Sequence, residues 1–166
     1  MAFAEDLLKQ AFLLLNKEPK TPTQASLRRS VSTAYYALFH LLVHEATIRL
    51  VAIEALRPRV ARSFDHNVMK KVCQDNVRLV PNIVGELILD GQAISAGIQN
   101  IATEFVALLQ ARHQADYDTA TIITQAQAQT DVTRAEIAFL EWEAVHSDQA
   151  ADAFLTELLC RGVPKR

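Results

Sequence analysis

The stretch Ser26-Leu27-Arg28-Arg29-Ser30-Val31-Ser32-Thr33-Ala34-Tyr35-Tyr36-Ala37-Leu38-Phe39-His40-Leu41-Leu42-Val43-His44 decides the fold class. It holds neither Gly nor Pro, and its apolar residues do not alternate as a half-buried strand requires. At about 100° per residue, Leu27, Val31, Ala34, Tyr35, Leu38, Leu41 and Leu42 fall on one side of a helix, an apolar stripe wide enough to bury it. With Arg29 at zero, Thr33, Tyr36, His40, His44 and Thr47 share a narrow sector on the other side. That polar face has two readings. It is either solvated or hydrogen-bonded between helices, as Tyr and His allow. Or it is a binding wall, with Arg29 anchoring an anion, His40 and His44 titrating near neutrality and Tyr36 stacking on a base.

Outward from this segment the helical period continues. A first helix is predicted over about residues 4–16, closing at Asn16 ahead of Pro19-Lys20-Thr21-Pro22, where two prolines impose an extended connection. Thr23 or Thr21 starts the long second helix, which runs from about 23 to 56 until Pro58. A short helix follows from about Asp65 to Asp75, and residues 76–91 are ambiguous, with Val77 to Ile88 the one stretch that supports a strand. A fourth helix spans about Gln92 to Arg112 despite Gly97. Thr119 or Thr121 caps a fifth that carries Ile122, Ile123, Ala126, Val132, Ala135, Phe139 and Trp142, and Ser147-Asp148 restarts a last one with Phe154, Leu155, Leu158 and Leu159. The expected fold is all-α, an antiparallel bundle of five to six helices in a single domain, 1–166, with 161–166 a frayed tail.

Composition narrows the function classes. A chain of 166 residues, half of them apolar and 22% charged, with four Gly and five Pro, is globular and excludes collagen-like and disordered classes. A net charge of -2 gives no global field for phosphate, so any nucleic-acid contact is local. The charge is uneven: residues 1–78 carry 12 basic against 7 acidic side chains, and residues 101–160 carry 2 against 10. Arg57, Arg59, Arg62, Lys70 and Lys71 form the one phosphate-attracting cluster. Acid at Glu5 and Asp6 argues against a secretory signal, and no run reaches the roughly 18 apolar residues of a membrane span. Cys73 and Cys160 have no metal spacing and read as packing residues, so a reducing, cytoplasmic setting without membrane association is expected.

The segment from Ser26 to His40, with its Arg, paired Tyr and following Phe-His, resembles the signature helix of HEPN domains, the higher eukaryotes and prokaryotes nucleotide-binding superfamily. A second segment, Leu108-Leu109-Gln110-Ala111-Arg112-His113-Gln114-Ala115-Asp116-Tyr117-Asp118, is similar to the arginine and Ala-Asp-Tyr segment of prokaryotic stand-alone members. The resemblance implies a helical bundle that commonly dimerises and binds nucleotide or RNA. Many members are ribonuclease toxins paired with a nucleotidyltransferase antitoxin, in a toxin-antitoxin system. It also implies that Arg29, Tyr36, Arg112 and Asp116 form a buried cluster. From their spacing alone, Arg112 and Asp116 pair within one turn and Tyr117 packs back on the bundle. Family catalysis uses an Arg, four to six residues and a His. Arg59 and His66 match that spacing, but Val60 stands where a polar residue is usual; Arg62-Ser63 supplies one and leaves three residues before His66.

Metal-independent RNA cleavage needs a proton-exchanging group and a cation for the phosphorane, roles that His66 and Arg59 would fill. The primary expectation is a homodimeric binding module with a degenerate Arg/His site, and the alternative is that ribonuclease. Phe139 and Trp142, apolar beyond one seam, suggest self-association. No cofactor or metal is expected: the Glu143-Ala144-Val145-His146 spacing of a di-metal bundle occurs once where two copies are needed, and phosphate-loop, dinucleotide and serine-nucleophile motifs are missing from the sequence.

Overall fold

A computed structural model describes residues 2–18, 20–77 and 95–160. Within them the chain is helical, without strands: α1 (Ala2–Leu15), α2 (Gln24–Leu50), a 3-10 turn (Glu54–Leu56), α3 (Arg57–Ala61), α4 (His66–Val77), α5 (Ala96–Tyr117), α6 (Gln125–Val145) and α7 (Gln149–Cys160). The ambiguous stretch beyond Val77 and the tail from residue 161 lie outside the described residues. No helix among the described residues is long and apolar enough to cross a membrane.

The structure divides into two compact units. The first comprises residues 1–41 and 104–139, the second residues 42–103 and 140–166, so that α2, α5 and α6 each contribute to both. In the first unit, α1 buries Ala4, Ala11 and Leu15 along one stripe. It closes at Asn16, whose side-chain amide donates to the Phe12 carbonyl at 2.9 Å. Thr23, not Thr21, caps α2: its hydroxyl oxygen accepts the Ser26 N–H at 3.2 Å. Glu18 braces the cap by accepting from Ser26 Oγ at 3.1 Å and from the Thr23 N–H at 3.3 Å, bonds that hold its carboxyl below the usual range. The helices α1 and α2 run antiparallel, with the Phe3 ring 5.0 Å from His40 and the Ser30 hydroxyl donating to the Ala11 carbonyl at 2.8 Å.

The predicted apolar stripe of α2 is buried throughout, but so is most of its other side: from Ser30 to Val43 only Tyr36 and His40 are partly exposed. Ser30, Ser32, Thr33, Ala34 and Ala37 are small enough to let neighbours approach, and the hydroxyls all find partners: Thr33 donates within its own helix, to the Arg29 carbonyl at 2.7 Å, while Ser30 and Ser32 donate to other helices.

Helix α6 starts later than expected. Thr124, rather than Thr119 or Thr121, is its cap, in a reciprocal box: the Gln127 N–H donates to Thr124 Oγ1 at 3.2 Å, and Gln127 Oε1 accepts the Thr124 N–H at 2.8 Å. Thr121 is instead bonded to Asp118, whose carboxylate accepts its hydroxyl at 2.6 Å. Ile122 and Ile123 therefore precede the helix. Ile123 is buried and meets the Gln24 side-chain amide with both its backbone N–H and its carbonyl, whereas Ile122 is exposed.

In the second unit, α2 stops at Leu50 rather than near 56. Arg57 Nε donates to the Val51 carbonyl at 3.1 Å, taking over a group the ending helix orphans. Pro58 sits in the first turn of α3, where its missing N–H costs nothing. Among the described residues, this short element is a helix beyond those the sequence predicts. Asp65 caps α4 by accepting the N–H groups of Asn67 and Val68 at 2.8 and 3.0 Å. Gly97 permits close approach of α5 and α6: a Cβ there would lie 2.5 Å from Val145 Cγ1. Arg49 of α2 pairs with Asp152 of α7 at 2.6 Å. Cys73 is buried, with its thiol pushed up by burial, but Cys160 is exposed and is not a packing residue. Trp142 is buried as well, so it supplies no surface for self-association; the large exposed apolar side chains include Phe3, Leu13, Ile122, Ile137 and Leu140.

Candidate functional site

The corner formed by α2 and α5 in the first unit brings together Tyr36, Arg112 and Asp116. Arg112 Nη2 donates to the Tyr36 hydroxyl at 2.8 Å, and one turn back along α2 the Ser32 hydroxyl donates to Asp116, one turn on along α5. The register is that of two antiparallel helices. Arg112 Nε lies 2.8 Å from Asp116 Oδ2 but is not aimed for a hydrogen bond, so that contact is purely ionic. The two side chains keep 18% and 23% of their surfaces exposed. Burial works against the charge on Arg112, but the Tyr36 bond and the Asp116 carboxylate outweigh it and hold the guanidinium above its ordinary pKa.

Arg29 is exposed and is not the residue that meets Asp116; Ser32 takes that place. Its neighbour Arg28 closes the end of α5. Arg28 Nη1 donates to the carbonyls of Ala115 and Asp118 at 2.8 and 2.9 Å and more loosely to that of Gln114, while Nη2 donates to the Thr121 carbonyl. A guanidinium on the last carbonyls of a helix satisfies orphaned acceptors and complements the helix dipole. The same arginine thereby fixes the turn that leads into α6.

Tyr117 does not pack back on the bundle. It is 64% exposed, with its ring against His113 at 5.0 Å and the Arg112 guanidinium 5.2 Å from its centroid. The same guanidinium lies 5.5 Å from the Tyr36 centroid, so Arg112 has an aromatic ring on two sides. Tyr117 and His113 border a shallow hollow of about 550 Å³ with Gln110, Gln114 and Asp118. His40 is held edge-on by Phe3 and Phe39 and tilted against Tyr36. His44 belongs to the second unit, where burial lowers its pKa and favours the neutral ring.

Arg59 and His66 also belong to the second unit. Arg59 is exposed on α3, with Arg62 exposed in the turn behind it, and His66 is the partly buried first residue of α4. Of the basic cluster, Arg57 is committed to the Val51 carbonyl, and Arg59, Arg62 and Lys71 are exposed. His146 contacts its own helix through the Glu143 carbonyl at 2.9 Å, and no group of three His, Cys, Asp or Glu among the described residues is placed to hold a metal ion.

A further cavity carries no motif. A cleft of about 400 Å³ between α5 and α6 in the first unit is lined by Gln110, Gln114, Gln127, Thr130, Asp131 and Arg134, with alanines and Ile123 among them. Arg134 Nη1 pairs with Glu104 at 2.9 Å, and its Nε lies 3.9 Å from Asp131. Burial, with Glu104 adding to it against Arg134, pushes the Asp131 carboxyl up to about 6. The Asp131–Arg134 spacing of three was visible in the sequence, but an i,i+3 pair is ordinary on any exposed helix. No family model, no curated protein and no solved structure matches the chain.

Proposed function

We propose that this chain is a HEPN-like helical module, acting as a homodimer, that binds nucleotide or single-stranded RNA through the end of α5. The observation that carries the reading is Tyr117: a largely exposed ring braced by Arg112 on one side and His113 on another, at the rim of a polar hollow. A rigid exposed aromatic is the surface on which a base stacks without sequence preference, at about 1–3 kcal/mol per base. Gln110 and Gln114 offer amide groups to the base edges. The nearest guanidinium groups, Arg28 and Arg112, are committed to protein acceptors, so the binding rests on stacking more than on phosphate.

Fluorescence-anisotropy titration of a short labelled RNA tests this. Tyr117→Ala weakens binding by about tenfold, and Tyr117→Phe keeps it, because the ring and not the hydroxyl does the stacking. Equal affinities for all three proteins would remove Tyr117 from recognition. The second reading is a metal-independent ribonuclease toxin whose antitoxin is a nucleotidyltransferase, with Arg59 steadying phosphate and His66 exchanging the proton. It is favoured by the exposure of Arg59 and Arg62 in the stretch of chain that leads to His66, the first residue of α4. RNA cleavage that disappears in His66→Ala would establish it, and intact RNA with the wild type would dismiss it.

A further inference from the structure

Asp131 and Arg134 line the α5/α6 cleft, and Glu104, outside that lining, competes with Asp131 for the arginine. Glu104 and Asp131 each keep only 19% of their side-chain surface exposed, and among the described residues Arg134 is the one cation that reaches them. Arg134 is spent on Glu104, at 2.9 Å. Asp131 is left with a contact of 3.9 Å and forms no hydrogen bond among the described residues. A mostly buried carboxylate with neither a close cation nor a donor is costly unless something supplies both.

The rest of the lining indicates what that partner is. Gln110 and Gln114, one turn apart on α5, border the cleft with side-chain carbonyl oxygens able to accept N–H groups. No aromatic ring lines it, which disfavours a stacked base, and its only guanidinium is already paired, which disfavours an anion. A volume of about 400 Å³ suits a small molecule. We infer that this cleft is a binding site for a small free organic cation, an alkyl-guanidinium or alkyl-ammonium compound, whose charged head pairs with Asp131 and whose N–H groups are accepted by Gln110 and Gln114.

The cleft shares Gln110 and Gln114 with the Tyr117 hollow, but Asp131 lines the cleft alone and Tyr117 the hollow alone, and the test does not involve RNA. Agmatine and putrescine serve as probes, with N-butylurea as a neutral analogue, each at constant ionic strength by calorimetric titration and thermal shift. Agmatine or putrescine raises Tm saturably and N-butylurea does not; a stronger response to agmatine marks a guanidinium site and to putrescine an ammonium site. Affinity climbs about tenfold per pH unit as Asp131 ionises, then levels above about pH 6. Glu104 on α5 and Arg134 on α6 are the charged groups facing Asp131. Asp131→Asn keeps its fold, since it removes a charge that burial opposes, and loses at least tenfold in affinity. Equal binding by Asp131→Asn, equal responses to agmatine and N-butylurea, or no response to either cation at millimolar concentration would each overturn the assignment.

Discussion

Two guanidinium groups in the first unit meet partly buried carboxylates, with opposite results. At the α2/α5 corner, Arg112 serves one carboxylate, and both partners are completed by hydroxyls, Tyr36 for the arginine and Ser32 for Asp116. In the α5/α6 cleft, Arg134 is divided between two carboxylates, and the one it serves less well, Asp131, has its pKa raised. Stoichiometry separates them. A pair in which the cation and the carboxylate each also hold a hydroxyl fixes helix register, whereas an unbalanced one keeps a charge waiting for a partner.

Breaking the balanced site has the largest effect. Arg112→Ala leaves Asp116 partly buried without its cation and Tyr36 without its donor, and is expected to lower stability by about 3 kcal/mol in urea unfolding. Arg112→Lys restores little, because a point charge cannot reach Tyr36 and Asp116 in the arrangement of the planar fork. A loss under about 0.5 kcal/mol would mean the corner is solvated and does not set register.

Next in size is the contrast between adjacent arginines. Arg28→Ala forfeits hydrogen bonds to carbonyls at the end of α5 and should cost about 2 kcal/mol, with faster amide exchange over residues 115–121. Arg29→Ala, at an exposed position, should stay within about 0.5 kcal/mol. Equal losses would show that the exposed arginine is also engaged.

The smallest effect sharpens the comparison by its sign. Asp131 has a folded pKa near 6, above the ordinary 3.8, so the fold favours its protonated form. Its contribution is neutral below about pH 4, becomes unfavourable as pH rises through the window from 3.8 to about 6, and is constant above. Asp131→Asn should therefore stabilise the protein by about 1 kcal/mol at pH 7.5, a value reduced for solvent screening, and by almost nothing at pH 4. A gain independent of pH would locate the effect elsewhere than in the charge.

Much of the fold was legible because period and capping are local. The stripe from Leu27 to Leu42, the closing Asn16 and a start at Thr21 or Thr23 all follow from neighbours within a few residues, and the structure chooses Thr23. The misread boundaries depended on more distant choices. Thr119, Thr121 and Thr124 look alike as caps until Thr121 is claimed by Asp118, and α2 is free to continue past Leu50 until Arg57 takes the Val51 carbonyl. Tyr36, Arg112 and Asp116 were found through their motif, but Arg28 and Ser32 were not, since a one-residue choice between Arg28 and Arg29 requires knowing which side faces α5.

The sequence by itself determined that this chain is helical, where most helices begin, and that its charges are unevenly divided, because backbone propensity, capping chemistry and composition act over a few residues. Tertiary structure alone decided which of two neighbouring arginines closes a helix, that Tyr117 stands out rather than in, and that Asp131 is short of a partner. Those outcomes depend on desolvation and on groups brought together from distant positions, and a side chain acquires its cost or its use only once its surroundings exist.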